Sequence, residues 1–71
     1  MSEEVRAHIT GVVFQVAVTE GTPVSAGEPI VVLESMKMVI PVEAPRDGFV
    51  QSLRVTEGQT VQEGDVVALL D

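Results

Sequence analysis

The stretch TEGTPVSAGE at residues 19–28 recurs as TEGQTVQEGD at residues 56–65, an offset of 37 residues. A threonine, a glutamate, a valine and two glycines occupy the same places in both copies. Glycine marks backbone positions that need unusual dihedral angles, so copies with matched glycines are expected to turn at the same places. The stretch therefore predicts a chain made of two halves with the same shape.

The same offset aligns residues 5–34 with residues 42–71, and it places all six glycines in three pairs. Two copies are too few for a stacked solenoid, which needs about three or more units. We therefore expect a single domain over residues 1–71. Its half-repeats, 5–34 and 42–71, are predicted to be related by a pseudo-two-fold axis.

Valine supplies 15 of the 71 residues, and glycine or proline interrupts every long apolar stretch. Valine is β-branched and favours strands, and no uninterrupted stretch has the periodicity of a helix. The sequence predicts an all-β fold whose sheets close on each other. Turns are predicted at Glu20-Gly21, Ala26-Gly27-Glu28, Asp47-Gly48, Glu57-Gly58 and Glu63-Gly64-Asp65. The predicted strands are 3–9, 12–19, 29–35, 38–43, 49–55 and 66–70, with short ladder pieces at 22–25 and 60–62.

The charge of the chain restricts its partners. The net charge is −7 and the pI is near 4.4, which disfavours nucleic acid and anionic membranes as partners. The start of the sequence, Met1-Ser2-Glu3-Glu4, lacks the basic-then-apolar order of a signal peptide. We expect a cytoplasmic protein that is a monomer on its own.

The sequence offers few groups for catalysis. It has one histidine, His8, and neither cysteine nor tyrosine, so a Cys-His nucleophile or a histidine metal cluster cannot be built. His8 is interpreted as a surface or edge residue. The acidic pairs Glu20/Glu57 and Glu28/Asp65 repeat with the glycines, which indicates a role in turns and solvation. These observations favour a non-catalytic protein.

Lys37 is the only lysine in the chain and lies between two methionines in Glu34-Ser35-Met36-Lys37-Met38, the segment that joins the halves. Such a lysine is either paired in a core or displayed for chemistry, and the unique position favours display. Met36 and Met38 could fill a core, but adaptable apolar contact beside Lys37 is the favoured interpretation. A Met-Lys pair is not a sequence that favours a two-residue hairpin turn.

These residues resemble the biotinyl domain family, the biotin/lipoyl attachment proteins. The resemblance rests on the segment 34–38, on Val-x-Ala-x-x-x-Gly at 5–11 and 42–48, and on Gly-x-x-Val-x-x-Gly at 21–27 and 58–64. It implies a flattened barrel of two four-stranded antiparallel sheets, with Lys37 at a hairpin tip as the attachment site of biotin. The short segment 22–28 resembles the thumbless carriers of propionyl-, pyruvate- or oxaloacetate-type enzymes.

The resemblance also implies partners. A biotin protein ligase would biotinylate Lys37, Met36 and Met38 would contribute to recognition and transfer, and Glu34 would help the ligase to recognise the hairpin. The biotin would then carry a carboxyl group between biotin carboxylase and carboxyltransferase subunits. Two alternatives stay open. One is a lipoyl carrier of a 2-oxo acid dehydrogenase-type complex, although lipoyl domains resemble Asp-Lys-Ala at the acceptor, and the other is an unmodified structural interaction domain.

Overall fold

A computed structural model describes residues 2–71, and all of its regular structure is β-strand. No helix occurs among these residues, which confirms the predicted all-β class. The described residues accordingly include no helix with the length and apolar character to cross a membrane. The strands are β1 (Glu3–Arg6), β2 (Gly11–Val16), β3 (Pro23–Val24), β4 (Pro29–Ser35), β5 (Met38–Glu43), β6 (Gly48–Leu53), β7 (Thr60–Val61) and β8 (Val66–Leu70).

The strands form two antiparallel sheets of four, which confirms the predicted architecture. One sheet has the order β1-β8-β6-β3 and the other has the order β5-β4-β2-β7. Moving each strand of the first sheet by 37 residues along the chain gives its counterpart in the second, in the same order. Each sheet therefore takes two strands from one half of the chain and two from the other, so neither four-stranded sheet can form from one half alone.

The core follows the same repeat. Strands β4 and β8 lie inside their sheets, and they supply most of the residues with no exposed surface. Seven pairs of buried residues are related by the offset of 37. Val55 is also buried, and its repeat counterpart Val18 is partly buried. These pairs are Val5/Val42, Ala7/Ala44, Val13/Val50, Val24/Val61, Ile30/Val67, Val31/Ala68 and Leu33/Leu70.

The repeated carboxylates bind backbone amides, as the sequence indicated. The carboxylate of Glu20 accepts a hydrogen bond from the amide of Leu53 at 2.9 Å, and its repeat partner Glu57 accepts one from the amide of Val16 at 3.3 Å. The Glu28 and Asp65 carboxylates accept bonds from the amides three residues earlier, at 3.0 and 2.8 Å. These residues therefore stabilise the fold and are not catalytic groups.

Three predicted strands are too long, and one predicted turn is wrong. The strands predicted over 3–9, 12–19 and 49–55 end at Arg6, Val16 and Leu53. Just beyond these points the chain crosses from one sheet to the other. Backbone amides there make isolated hydrogen bonds, for example from the amide of Ala7 to the carbonyl oxygen of Asp65 at 2.8 Å. Gly48 begins β6 instead of forming a turn. His8 lies in the crossing after β1 and is exposed, as expected.

Candidate functional site

Strands β4 and β5 form a long hairpin that carries Lys37 at its tip. The register pairs Leu33 with Ile40, Glu34 with Val39 and Ser35 with Met38. Only Met36 and Lys37 remain between the two strands, so the turn has two residues. The hairpin is held to the body of the protein through Leu33, which has no exposed surface.

The turn has an unusual backbone for its sequence. The φ angles of Met36 and Lys37 are +52° and +65°, and these are the two non-glycine residues with positive φ among residues 2–71. Positive φ at both central residues is the signature of a type I′ turn, which matches the twist of the flanking strands and usually contains Asn-Gly. A residue with a Cβ atom in this region costs about 1–2 kcal/mol. The pairing of β4 with β5 therefore imposes a conformation that Met36 and Lys37 do not favour locally.

The Lys37 amine is available to a partner. Lys37 is exposed, and within the described part of the chain its amine has neither a hydrogen-bond nor an ion-pair partner. Lysine amines are almost fully protonated at neutral pH, and a protonated amine is not a nucleophile. The geometry thus presents Lys37 without activating it, and an enzyme that acylates this amine has to remove its proton.

The two methionines beside Lys37 are exposed. Met36 has 91% and Met38 has 62% of its surface exposed, so the interpretation of these side chains as core filling is wrong. Methionine is flexible and polarizable, and an exposed thioether can adapt to the surface of a partner. The hairpin tip therefore consists of one amine between two adaptable apolar groups.

Glu34 lies on the outer face of the hairpin. It is exposed, and its Cα pairs with Val12 on one side and with Val39 on the other. Its side chain points away from the core, since the neighbouring Leu33 is buried and side chains alternate along a strand. The structure thus brings Glu34 to the surface near the tip.

The sequence analysis missed several exposed apolar residues that lie near Lys37 on the outer face of the same sheet. Val39 is 54% exposed and Phe14 is 55% exposed, while Val12 and Pro41 are also exposed. The repeat contained a signal that could have identified them. Phe14, Val39 and Pro41 are matched at an offset of 37 by Gln51, Ser2 and Glu4, whereas most apolar positions match in kind.

One surface cavity is lined by residues away from the hairpin tip. It is an open groove of about 1060 Å³ beside the sheet β1-β8-β6-β3, lined by Ser2, Glu3, Glu4, Arg46, Arg54, Val66 and Leu69. The guanidinium of Arg46 donates to the Glu3 carboxylate at 2.8 Å across this groove. None of the described residues at the hairpin tip lines this groove.

The only lysine of the chain is thus exposed at the tip of a two-stranded hairpin, a position that another protein can reach. The sequence matches the model of the Biotin_lipoyl family, described as "Biotin-requiring enzyme", over residues 1–70. The chain belongs to this family. The amine of Lys37 suits biotin chemically, because a carboxyl group and an amine join as an amide.

Two curated relatives are similar over most of their own length. The "Biotinylated protein TB7.3 homolog" of Mycobacterium leprae is 44% identical over 70 residues, which are 99% of each chain. The "Biotin carboxyl carrier protein of acetyl-CoA carboxylase" of Solanum lycopersicum is 43% identical over 58 residues, covering 82% of this chain and 83% of the relative. Both names refer to biotin, so the comparisons favour biotin as the cofactor.

A solved structure confirms the fold in a larger protein. A domain of a single-chain, multi-domain long-chain acyl-CoA carboxylase superposes with a TM-score of 0.90 at 37% identity, over 96% of this chain. The match spans only 7% of that carboxylase. The similarity therefore concerns a small part of the larger enzyme.

Proposed function

We propose that this protein is a biotin carboxyl carrier and that Lys37 is its biotinylation site. The observation that carries the proposal is the position of the only lysine at the tip of the β4–β5 hairpin, exposed and between two exposed methionines. Membership of the Biotin_lipoyl family and the names of the two curated relatives support it.

The attachment step needs only one group of this chain, the Nζ atom of Lys37. A biotin protein ligase removes a proton from the amine and presents the biotin carboxyl group as an acyl-adenylate. Nζ attacks the acyl carbon, an amide bond forms, and the bond to AMP breaks with its electron pair leaving on the phosphate oxygen. The ligase supplies the base, because within residues 2–71 no carboxylate or histidine forms a hydrogen bond or ion pair with Lys37.

The hairpin contributes position instead of chemistry. Strands β4 and β5 fix the point at which the lysine side chain leaves the body of the protein, and the long side chain then allows reach. When bound, biotin supplies the group that accepts and releases a carboxyl group. We propose that Lys37 carries it between the sites of a biotin carboxylase and a carboxyltransferase. The names of the carboxylases among its relatives support these partners.

The lipoyl alternative is not favoured. Lipoyl domains resemble Asp-Lys-Ala at the acceptor, whereas here Met36 and Met38 flank Lys37. We expect the biotin protein ligase to recognise the two methionines as part of the acceptor surface. Glu34 on the outer face is expected to contribute to the same recognition. The chain is expected to act as a monomer that docks with larger enzymes in turn.

Intact mass spectrometry tests this proposal. The purified chain is incubated with biotin, ATP and a biotin protein ligase, and in parallel with lipoate, ATP and a lipoyl ligase. We expect one biotin on Lys37 and little lipoylation. The variant Lys37→Arg should keep the fold and gain no biotin, because arginine preserves the charge but is no acyl acceptor. Efficient lipoylation of the wild type, or biotin on the N-terminal amine instead of Lys37, would contradict the proposal.

A second pair of variants tests what sets the choice of ligase. Replacing the flanking residues by Met36→Asp and Met38→Ala gives the acceptor a lipoyl-like sequence while leaving Lys37 in place. We expect the ratio of lipoylation to biotinylation to rise in this double variant. An unchanged ratio would show that the methionines do not determine which cofactor is attached.

A further inference from the structure

The outer faces of the two sheets differ in a way that the fold does not require. The outer hairpin face is defined here as the outward residues of β2, β4 and β5 near the tip, namely Val12, Phe14, Val32, Glu34, Val39 and Pro41. Each has a counterpart on the other sheet at an offset of 37, namely Phe49, Gln51, Leu69, Asp71, Ser2 and Glu4. Both sets cover the same repeated core with the same strand order.

At three positions the outer hairpin face has an apolar residue where the other sheet has a polar one. Phe14, Val39 and Pro41 are exposed there, while their counterparts are Gln51, Ser2 and Glu4. Isolated exposed apolar residues need no explanation, but a cluster of them is typical of an interaction surface. Because the other sheet has polar residues at the same places, the domain folds without this cluster. Comparison with the other sheet thus shows which of these residues folding does not require.

The outer hairpin face is continuous and adjoins Lys37. Val12 pairs with Glu34, and Glu34 pairs with Val39, so these three side chains form one row across β2, β4 and β5. Directly paired residues on one face have Cβ atoms roughly 4.5–5.5 Å apart. Phe14 lies two residues along β2 from Val12, at the bulge between Val13 and Gln15, and is exposed. An enzyme that covers the hairpin tip would therefore also contact this row of side chains.

We propose that the outer hairpin face is the docking surface of the biotin protein ligase that acylates Lys37, with Phe14 and Val39 as its apolar anchors. This inference rests on the proposed function. The ligase has to bring its reactive acyl group to Nζ itself, so its surface must cover the hairpin and the residues beside it. The carboxylase and carboxyltransferase sites are instead reached by biotin beyond the end of the lysine side chain.

Charge also fits a ligase as the occupant. An acyl-adenylate carries a phosphate, so a site that holds it is lined by positive groups. The chain has a net charge of −7, and Glu34 is the acidic residue in the middle of the outer hairpin face. The proposed partner surface is therefore apolar with a basic border, and it complements both the cluster and Glu34.

Two phenylalanines provide a matched test. Phe14 and Phe49 are 55% and 56% exposed, and they lie on the outer faces of opposite sheets. The variants Phe14→Gln and Phe49→Gln are compared as acceptors for a biotin protein ligase over a range of carrier concentrations. We expect Phe14→Gln to raise the KM for the carrier roughly tenfold with little change in kcat, as for loss of an aromatic anchor. Phe49→Gln should behave as the wild type.

The swap Val39→Ser, which installs the residue of the other half, is expected to raise KM further when combined with Phe14→Gln. Urea unfolding of each variant checks that the fold is retained. The inference is overturned if Phe14→Gln is biotinylated as well as the wild type, or if Phe49→Gln is impaired equally. It is also overturned if the biotinylated Phe14→Gln carrier is defective only in carboxyl transfer. Failure of the wild type to accept biotin on Lys37 would instead refute the proposed function.

Discussion

A Cβ atom at position 11 would lie 2.6 Å from the backbone oxygen of Glu34, so Gly11 and Glu34 make a backbone contact that only glycine permits. Gly11 begins β2, and Glu34 lies in β4 three residues before Lys37. The base of the attachment hairpin is therefore fixed by the absence of a side chain on the neighbouring strand. Any larger residue at position 11 has to push β4 outward.

We predict that Gly11→Ala destabilises the domain by about 1–3 kcal/mol, the usual range for overpacking. The matched control is Gly48→Ala, because Gly48 is the repeat partner of Gly11. There the new methyl group meets the Arg46 guanidinium at 2.6 Å and the oxygen of Asp71 at 2.9 Å. The Arg46 contact is with the end of a flexible side chain. The Asp71 oxygen accepts a hydrogen bond from the Phe49 amide at 3.3 Å, but it would lie 0.3 Å farther from the new methyl group than the Glu34 oxygen does, at 2.9 against 2.6 Å. Urea unfolding should show a smaller loss for Gly48→Ala, and an equal loss would contradict the role assigned to Glu34.

Truncation of both tip methionines should have little effect on stability. Met36 and Met38 are largely exposed, so Met36→Ala with Met38→Ala should cost well under the ~2–5 kcal/mol that is typical of a buried methionine. The comparison is Leu33→Ala. Leu33 lies three residues before Met36 but is fully buried, so its truncation should cost an amount in that range. Unfolding midpoints of the three proteins decide this. A large loss in the methionine variant would show that these side chains pack against the core.

The hairpin turn should become more stable when Met36 and Lys37 are replaced by residues that favour this turn type. The double variant Met36→Asn, Lys37→Gly places the preferred type I′ sequence at two positions with φ of +52° and +65°. We expect a gain of about 1–2 kcal/mol in the free energy of unfolding, because glycine has no Cβ atom and asparagine adopts the left-handed region more readily than methionine. Thermal and urea unfolding measure the gain. A decrease in stability would indicate that the Met-Lys turn is not strained.

The repeated glutamates should differ in their contributions. Glu20→Ala removes the acceptor of the Leu53 amide and should cost about 1 kcal/mol. Glu57→Ala should cost less, because its bond to the Val16 amide is longer, 3.3 Å against 2.9 Å. Removing any carboxylate also relieves repulsion in a chain of net charge −7. Glu63→Ala, which changes the charge equally, corrects for this effect, and equal stabilities of all three variants would refute the assignment.

Much of the fold could be predicted from the sequence because its two halves repeat. The strands over residues 29–35, 38–43 and 66–70 were predicted with the observed bounds, and the first and last of them carry the matched apolar pairs Ile30/Val67 and Leu33/Leu70. The ends of β1 and β2 could not be predicted in this way. Residues 7–9 and 17–19 continue the apolar pattern of these strands after the backbone has left the sheet, because burial continues where ladder bonding stops.

The candidate site was predicted unevenly. Lys37 and its methionines stand out because they fall in the segment between the repeats. The conformation of the turn does not follow from these residues, since long-range pairing of β4 and β5 overrides their local preference. The outer hairpin face also needed the structure, because only the register shows that Val12 and Val39 flank Glu34.

The shared strand order has a consequence for the topology of the chain. The loop from Leu33 to Ile40 carries the hairpin tip, and its counterpart at an offset of 37 is the gap between Leu70 and Glu3, which pair across β8 and β1. Three residues inserted between positions 71 and 1 would make that gap as long as the hairpin loop. A head-to-tail cyclised protein closed by Ser-Met-Lys would then be a ring without termini, with two lysines in equivalent loops. The pairing of Leu70 with Glu3 thus provides a second place at which a hairpin loop of the same length could be built.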